Sequence, residues 1–138
     1  MKLAVDSSAL AKRYVLETGS EAMHDLLQKA SQLAMCTILV PEIISGLNRR
    51  QRENILSPRE YRKVKKQLLE DVRDAVVLQI TPAVISSSVK LLETNSLRAM
   101  DALHVACAMQ WRAELFATAD KRQLRAAKNA GLLTHYVG

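Results

Sequence analysis

Four acidic residues stand beside apolar segments of the chain, whereas most of the other acids lie in polar stretches. They are Asp6, Glu42, Asp101 and Asp120, within MKLAVD, CTILVPEII, LRAMDALHVACA and LFATAD. A carboxylate in such surroundings is costly to desolvate unless a positive charge meets it. Because carboxylate oxygens are preferred ligands of hard cations, the four acids predict a shared Mg²⁺ or Mn²⁺ site if folding brings them together.

Each of these acids also has an ordinary structural role open to it. Asp6 could cap the helix that follows it, and Asp120 could form a capping pair with Gln123. Glu42 could simply face the positive end of a helix dipole. Asp101 is the hardest to explain in this way, because its helix is too apolar for the protein surface. For each acid alone both interpretations stay open, but the four together favour the metal site.

Two hydroxyl residues lie within two positions of an acid: Ser8 follows Asp6, and Thr118 precedes Asp120. Either hydroxyl could orient a carboxylate, and a role in a cap or turn explains them equally well. His104 lies one helical turn after the third acid, where we expect a packed or surface histidine. No cluster of His and Cys suggests zinc.

Short apolar runs alternate with longer amphipathic stretches, which predicts a parallel sheet covered by helices. Strands are predicted at LAV, LAMCT, AVVLQI and LFAT, with THYV as a short edge strand. Helices are predicted at SSALAKRYV, SEAMHDLLQKA, PEIISGLNRRQ, PREYRKVKKQLLEDV, PAVISSSVKLLE, ALHVACAMQW and KRQLRAAKNAG. The helix ALHVACAMQW is apolar on nearly every side, so we expect it to be central and covered by other elements.

This order of elements predicts an α/β fold, a three-layer α/β/α domain with a central parallel sheet of four to five strands. The carboxyl ends of parallel strands share one edge of the sheet, where such folds hold their ligands. Asp6 and Asp120 follow predicted strands, so both should lie at that edge. Glu42 and Asp101 lie near the starts of helices that could overhang it. Topology alone would thus bring the four acids together.

Length and composition are those of one globular domain spanning residues 1–138. The hydrophobic fraction of 49% suffices for one core, and no apolar run approaches the roughly 20 residues of a membrane span. The N-terminal apolar stretch ends at Asp6, which argues against a signal peptide and for a cytoplasmic protein. Cys36 and Cys107 lie in apolar segments and are expected to be buried free thiols.

The net charge of +6 is concentrated in one segment, residues 49–66, which holds eight Lys or Arg and two Glu. A solvated helical surface would explain such a run. A large cluster of one sign equally predicts an anionic partner such as nucleic acid.

Four motifs carry a family resemblance. VDSSALAKRY, PEIISGLNRR, LRAMDALHVACA and FATADKRQLRAAKNAGL resemble, in order and approximate spacing, the successive signatures of PIN-domain ribonucleases. The likeness is greatest to the VapC-type toxins of toxin–antitoxin pairs, and it covers nearly the whole chain. Met100 departs from the pattern, since an aromatic residue is common at that position.

The resemblance implies a three-layer domain that cleaves RNA with Mg²⁺ or Mn²⁺. It also implies a homodimer and a cognate antitoxin that docks near the active site. The hydroxyl residue of the family pattern maps onto Thr118. The metal-binding acids of the family map onto Asp6, Glu42, Asp101 and Asp120.

The leading hypothesis is therefore a metal-dependent endoribonuclease whose basic segment neutralises RNA phosphates. The candidate RNA contacts are Arg49, Arg50, Arg62, Lys63, Lys65 and Lys66. A second hypothesis is phosphoryl transfer through Asp6, although Ser8 stands where phosphatases usually carry a second aspartate. A third is a non-catalytic RNA- or protein-binding regulatory module of the same fold.

Overall fold

Five parallel strands form the central sheet of the computed structural model, which describes residues 1–138. The strands lie in the order β3-β2-β1-β4-β5, so that β1 is central. Val5 at the end of β1 is in register with Met35 of β2 and Ala117 of β4. The carboxyl ends of these three strands therefore meet at one edge. The strands are β1 (Lys2–Val5), β2 (Gln32–Cys36), β3 (Val76–Leu78), β4 (Leu115–Thr118) and β5 (Thr134–Tyr136).

Seven helices connect the strands, and a 3₁₀ turn, Ala11–Arg13, follows the first of them. Several begin or end where the sequence predicts. Ser57 forms a complete capping box with Glu60, and Thr81 accepts from the backbone of Val84. The helices are α1 (Ser7–Leu10), α2 (Ser20–Lys29), α3 (Leu39–Arg52), α4 (Pro58–Arg73), α5 (Pro82–Thr94), α6 (Ala99–Trp111) and α7 (Lys121–Asn129).

The helices form one layer on each face of the sheet, because neighbouring strand residues point to opposite faces. Leu3 and Val5 pack in a core that includes side chains of α1, α2, α3 and α4. Ala4 and Phe116 pack in a second core with α5, α6 and α7. The predicted three-layer α/β/α architecture is thus confirmed, and the sheet has five strands.

Some predicted boundaries were wrong. The predicted helix SSALAKRYV is α-helical only as far as Leu10 and continues as the 3₁₀ turn Ala11–Arg13, after which side chains contact α4. Arg13 Nε donates to Asp71 Oδ2 at 2.7 Å, and Tyr14 Oη donates to the same oxygen at 2.6 Å. The end of the last helix agrees with the prediction: Asn129 is its final residue, and Gly131, whose φ of 89° lies in the left-handed region, follows the C-cap residue.

Helix α6 lies centrally, as predicted, but begins three residues earlier than ALHVACAMQW. Seven of its 13 residues are buried, and Asp101 and His104 are the polar ones among them. Cys36 and Cys107 are buried and unpaired, in agreement with the prediction. None of the helices combines the length and apolar character that a bilayer-spanning segment requires.

Candidate active site

Asp6 lies directly after β1, the central strand, and is completely buried. Its Oδ1 accepts from the backbone N–H of Ala9 at 2.9 Å, so Asp6 does cap α1. Its Oδ2 accepts from Ser8 Oγ at 2.7 Å and from Thr118 Oγ1 at 2.8 Å. The two hydroxyl residues singled out in the sequence therefore both hold this carboxylate in place.

The electrostatic surroundings of Asp6 contain no direct cationic partner, since no Lys or Arg side chain forms an ion pair with it. Burial raises the pKa of Asp6 above its ordinary value, although the charge of His104 and the hydrogen bonds of Ser8, Ala9 and Thr118 oppose the rise. A buried carboxylate of this kind is better accommodated when a cation binds beside it.

Asp120 lies two residues after β4 and is half-buried. Its Oδ1 accepts from the backbone N–H groups of Arg122 at 2.8 Å and Gln123 at 3.3 Å, so it caps α7. Its own backbone N–H donates to Thr118 Oγ1 at 3.0 Å. Thr118 thereby joins Asp120 to the carboxylate of Asp6.

Asp101 lies in the first turn of α6 and is 6% exposed. Its Oδ1 accepts from Gln123 Nε2 at 3.0 Å, and its Oδ2 accepts from Arg98 Nε at 3.3 Å. The suggested capping pair of Asp120 and Gln123 is thus only half formed, because the Gln123 amide turns to Asp101 instead of the helix start. Gln123 connects two of the acids and was not singled out from the sequence as a site residue.

Glu42 lies in the first turn of α3 and is half-buried. Its Oε1 accepts from Ser7 Oγ at 2.6 Å and from His104 Nε2 at 2.5 Å. Burial raises the pKa of Glu42, but the hydrogen bonds from His104 and Ser7 outweigh it and leave this pKa below its ordinary value. Glu42 is thus held in its ionised form.

His104 is packed, as expected, and is 3% exposed. Burial lowers its pKa, but the hydrogen bond to Glu42 and the charges of Asp6 and Glu42 outweigh burial and raise the pKa of the imidazole. Its Nδ1 has no hydrogen-bond partner. The role of His104 as the partner of Glu42 was missed, and the available signal was its position three residues after Asp101 on one face of α6.

The four acids lie along one edge of the sheet. Thr118 and Gln123 connect Asp6, Asp120 and Asp101 through hydrogen bonds, whereas Glu42 is bound by Ser7 and His104. As the side chains stand, no three Asp, Glu, His or Cys residues come close enough to hold one metal ion. The donors nevertheless suit a hard divalent cation, because all are carboxylate oxygens and the buried Asp6 has no Lys or Arg partner. Coordination of one ion would require some of the side chains to turn toward it.

Two cavities flank α3, and both reach Glu42 and Gly46. One, of about 200 Å³, lies between α1 and α3 and is also lined by Ser7, Ser8 and Arg50. The other, of about 390 Å³, is also lined by Arg49 and the half-exposed Met100. Two of the predicted RNA contacts therefore lie beside one of the acids.

The remaining predicted RNA contacts lie on α4. Arg62, Lys65 and Lys66 line a surface depression that contains none of the four acids, and Lys63 is exposed nearby on the same helix. The structure thus divides the predicted set into a group beside Glu42 and a separate group on the outer face of α4.

The family model described as PIN domain matches residues 3–129 of the chain. No curated protein sequence matches the chain significantly. Among solved structures, VapC20 of Mycobacterium tuberculosis, described as a sarcin-ricin loop cleaving toxin, is similar with a TM-score of 0.70 and 15% identity. The match covers 95% of this chain and 96% of that chain.

Two further structures have the same fold. VapBC2 of Rickettsia felis, bound to a DNA fragment from the promoter, has a TM-score of 0.70 and 13% identity over 99% of this chain and 98% of that chain. A toxin–antitoxin complex of Klebsiella pneumoniae has a TM-score of 0.66 and 16% identity over 88% of this chain and 89% of that chain.

Proposed function

The chain belongs to the PIN domain family, and on that basis we propose that it is a metal-dependent endoribonuclease that serves as the toxin of a toxin–antitoxin pair. The observation that carries the proposal is the buried carboxylate of Asp6 at the end of the central strand. It lies on the same edge of the sheet as three further acids and forms no ion pair with a Lys or Arg side chain. A cation bound at such an edge would assist phosphodiester hydrolysis, and oxygen ligands suit Mg²⁺ or Mn²⁺.

Asp6 and Asp101 are proposed to hold the principal ion, and Glu42 and Asp120 to complete the site directly or through water. When bound, a divalent ion would activate water and stabilise negative charge on the scissile phosphate. Ser8 and Thr118 would keep the carboxylate of Asp6 oriented through the hydrogen bonds that they donate to it. The same two contacts would limit its freedom to turn away from a ligand.

RNA is the proposed substrate because Arg49 and Arg50 lie beside Glu42 and because VapC20, which has the same fold, is described as cleaving the sarcin-ricin loop. An antitoxin is the proposed protein partner, since similar folds occur in toxin–antitoxin complexes. We also propose that the chain forms a homodimer and acts in the cytoplasm.

The test is incubation of the purified protein, freed of any bound antitoxin, with RNA in Mg²⁺, Mn²⁺ or excess EDTA. We expect internal cleavage with either metal and intact RNA in EDTA. RNA that is bound but never cleaved with any divalent ion would instead indicate a non-catalytic binding module.

The basic face of α4 gives a separate prediction. Replacing Arg62, Lys63, Lys65 and Lys66 together by Gln should weaken RNA binding at least about tenfold near 0.1 M salt, because fewer counterions are released. All four side chains are exposed, so the fold should be unaffected. In a salt titration, the slope of log affinity against log salt should fall by about three if all four contact phosphates of single-stranded RNA.

A control variant with the same loss of charge separates a local contact from a general effect of net charge. Lys29, Lys90, Arg112 and Lys128 are exposed and lie outside the basic segment. Their replacement by Gln should change RNA affinity much less. Equal weakening by the two variants would show that the α4 face is not a specific RNA contact.

A further inference from the structure

Gly46 leaves a gap in the surface of α3 that the fold does not require. A glycine inside a helix is destabilising relative to alanine, because it loses more backbone freedom on folding. A Cβ atom built at Gly46 would meet no other atom within 4 Å, so packing does not exclude a side chain. The backbone there is ordinary helix and does not need the left-handed conformation. A glycine in such a place suits close approach of a ligand to the helix backbone.

The neighbours of Gly46 on α3 carry opposite charges. Glu42 lies one turn before it, and Arg49 and Arg50 lie one turn after it, on the same side of the helix. Both cavities that flank α3 include Glu42 and Gly46; one extends to Arg50 and the other to Arg49. A continuous surface therefore leads from the acidic edge, across the glycine, to two arginines.

The charge of this surface favours a polyanion. Neither Arg49 nor Arg50 forms an ion pair with an acid of the chain, so both guanidinium groups are free to bind phosphate. Met100, 45% exposed, lines the cavity on one side and offers an apolar contact to a base. From Glu42 to Arg50 the helix rises about 12 Å. That length matches about three stacked nucleotides.

We propose that the RNA strand crosses α3 at Gly46, with its backbone against the glycine and its phosphates held by Arg49 and Arg50, so that the next phosphodiester lies at the acids. This assignment rests on the proposed nuclease function and defines where the substrate enters the site. It differs from the basic face of α4, which would contact RNA farther from the point of cleavage.

The test is RNA affinity of Gly46→Ala and Gly46→Leu, measured in EDTA so that binding is observed without cleavage. Gly46→Ala should raise the Tm, because alanine is the better helix former and the site has room for its methyl group. Gly46→Leu should remain folded and should weaken RNA binding at least about tenfold. Gly46→Ala should weaken binding less, and the increase in Tm produced by Mn²⁺ should be unchanged in both variants.

The matched control is Ser86→Leu, which adds a leucine at an exposed position of α5. It should leave RNA affinity unchanged. An affinity of Gly46→Leu equal to that of the wild type, or equal weakening by Ser86→Leu, would overturn the assignment. A changed oligomeric state of Gly46→Leu with unchanged RNA affinity would assign the surface to a second copy of the chain and also overturn it.

Failure of the assignment is distinguishable from failure of the proposed function. A wild type that cleaves RNA, together with normal binding by Gly46→Leu, would overturn only the path across α3. A wild type that binds RNA without cleaving it, together with weak binding by Gly46→Leu, would support the path and overturn the nuclease. A wild type that binds no RNA would overturn both.

Discussion

Replacing Asp6 with Asn is expected to lower the rate of RNA cleavage at least about a hundredfold while the domain stays folded, since loss of a residue that only supports a metal ligand already costs about 10- to 100-fold. Asn retains the size of Asp and can still accept from the backbone of Ala9 to cap α1. It removes the negative charge that would bind a divalent ion. Initial cleavage rates in Mn²⁺, with circular dichroism as the test of folding, check this expectation.

Asp101→Asn should have a comparable effect, because Asp101 is proposed to hold the same ion. Asp25→Asn is the control, since Asp25 is an exposed acid of α2. It should cleave RNA like the wild type. Equal cleavage by the wild type, Asp6→Asn and Asp101→Asn would mean that the activity belongs to a contaminant or to other residues.

Binding of Mn²⁺ is expected to produce a large increase in thermal stability. A ligand that binds only the folded state at 100 times its Kd stabilises that state by about 2.7 kcal/mol. In a domain of this size, that free energy corresponds to an increase in Tm of about 10 °C. Asp6→Asn should show little of this increase. Thermal melts of both proteins over a range of Mn²⁺ concentrations give the measurement, and equal increases would exclude Asp6 as a ligand.

Without metal, the stability of Asp6→Asn relative to the wild type should depend on pH, and the substitution should become more favourable as the pH rises. Since burial raises the pKa of Asp6, the folded state favours the protonated carboxyl. This contribution to stability is fully present below the unfolded pKa of about 3.8 and is lost as the pH rises through the folded pKa. Asn carries no such charge. In EDTA, the Tm of Asp6→Asn minus the Tm of the wild type should therefore increase with pH. A decrease would contradict the conclusion that ionisation of the buried Asp6 carboxyl destabilises the folded state.

The layers of the fold could be predicted because their signals are local. Apolar runs of strand length alternate with capped amphipathic segments, and Ser57, Thr81 and Gly131 mark boundaries through their own chemistry. The early end of α1 could not be predicted in this way. It coincides with contacts of Arg13 and Tyr14 with Asp71, which is distant in sequence.

The candidate site could likewise be predicted from the sequence only in part. Asp6 and Asp120 could be placed at one edge because parallel strands end together. The hydrogen bond between Glu42 and His104 could not be predicted, because His104 lies 62 positions away and reaches Glu42 only through the packing of α6 against the sheet. Gln123 was predicted from its local spacing to assist a cap, whereas its amide makes a tertiary hydrogen bond to Asp101.

The most direct test of the central claim is the location of Mn²⁺ by anomalous scattering in crystals of the wild-type protein grown with the metal. The proposal predicts a peak at the carboxyl edge of the sheet, with oxygens of Asp6 and Asp101 at about 2.1 Å from the ion. Crystals that contain Mn²⁺ only elsewhere, with these two carboxylates turned away from each other, would contradict the proposal that the acids form a metal site.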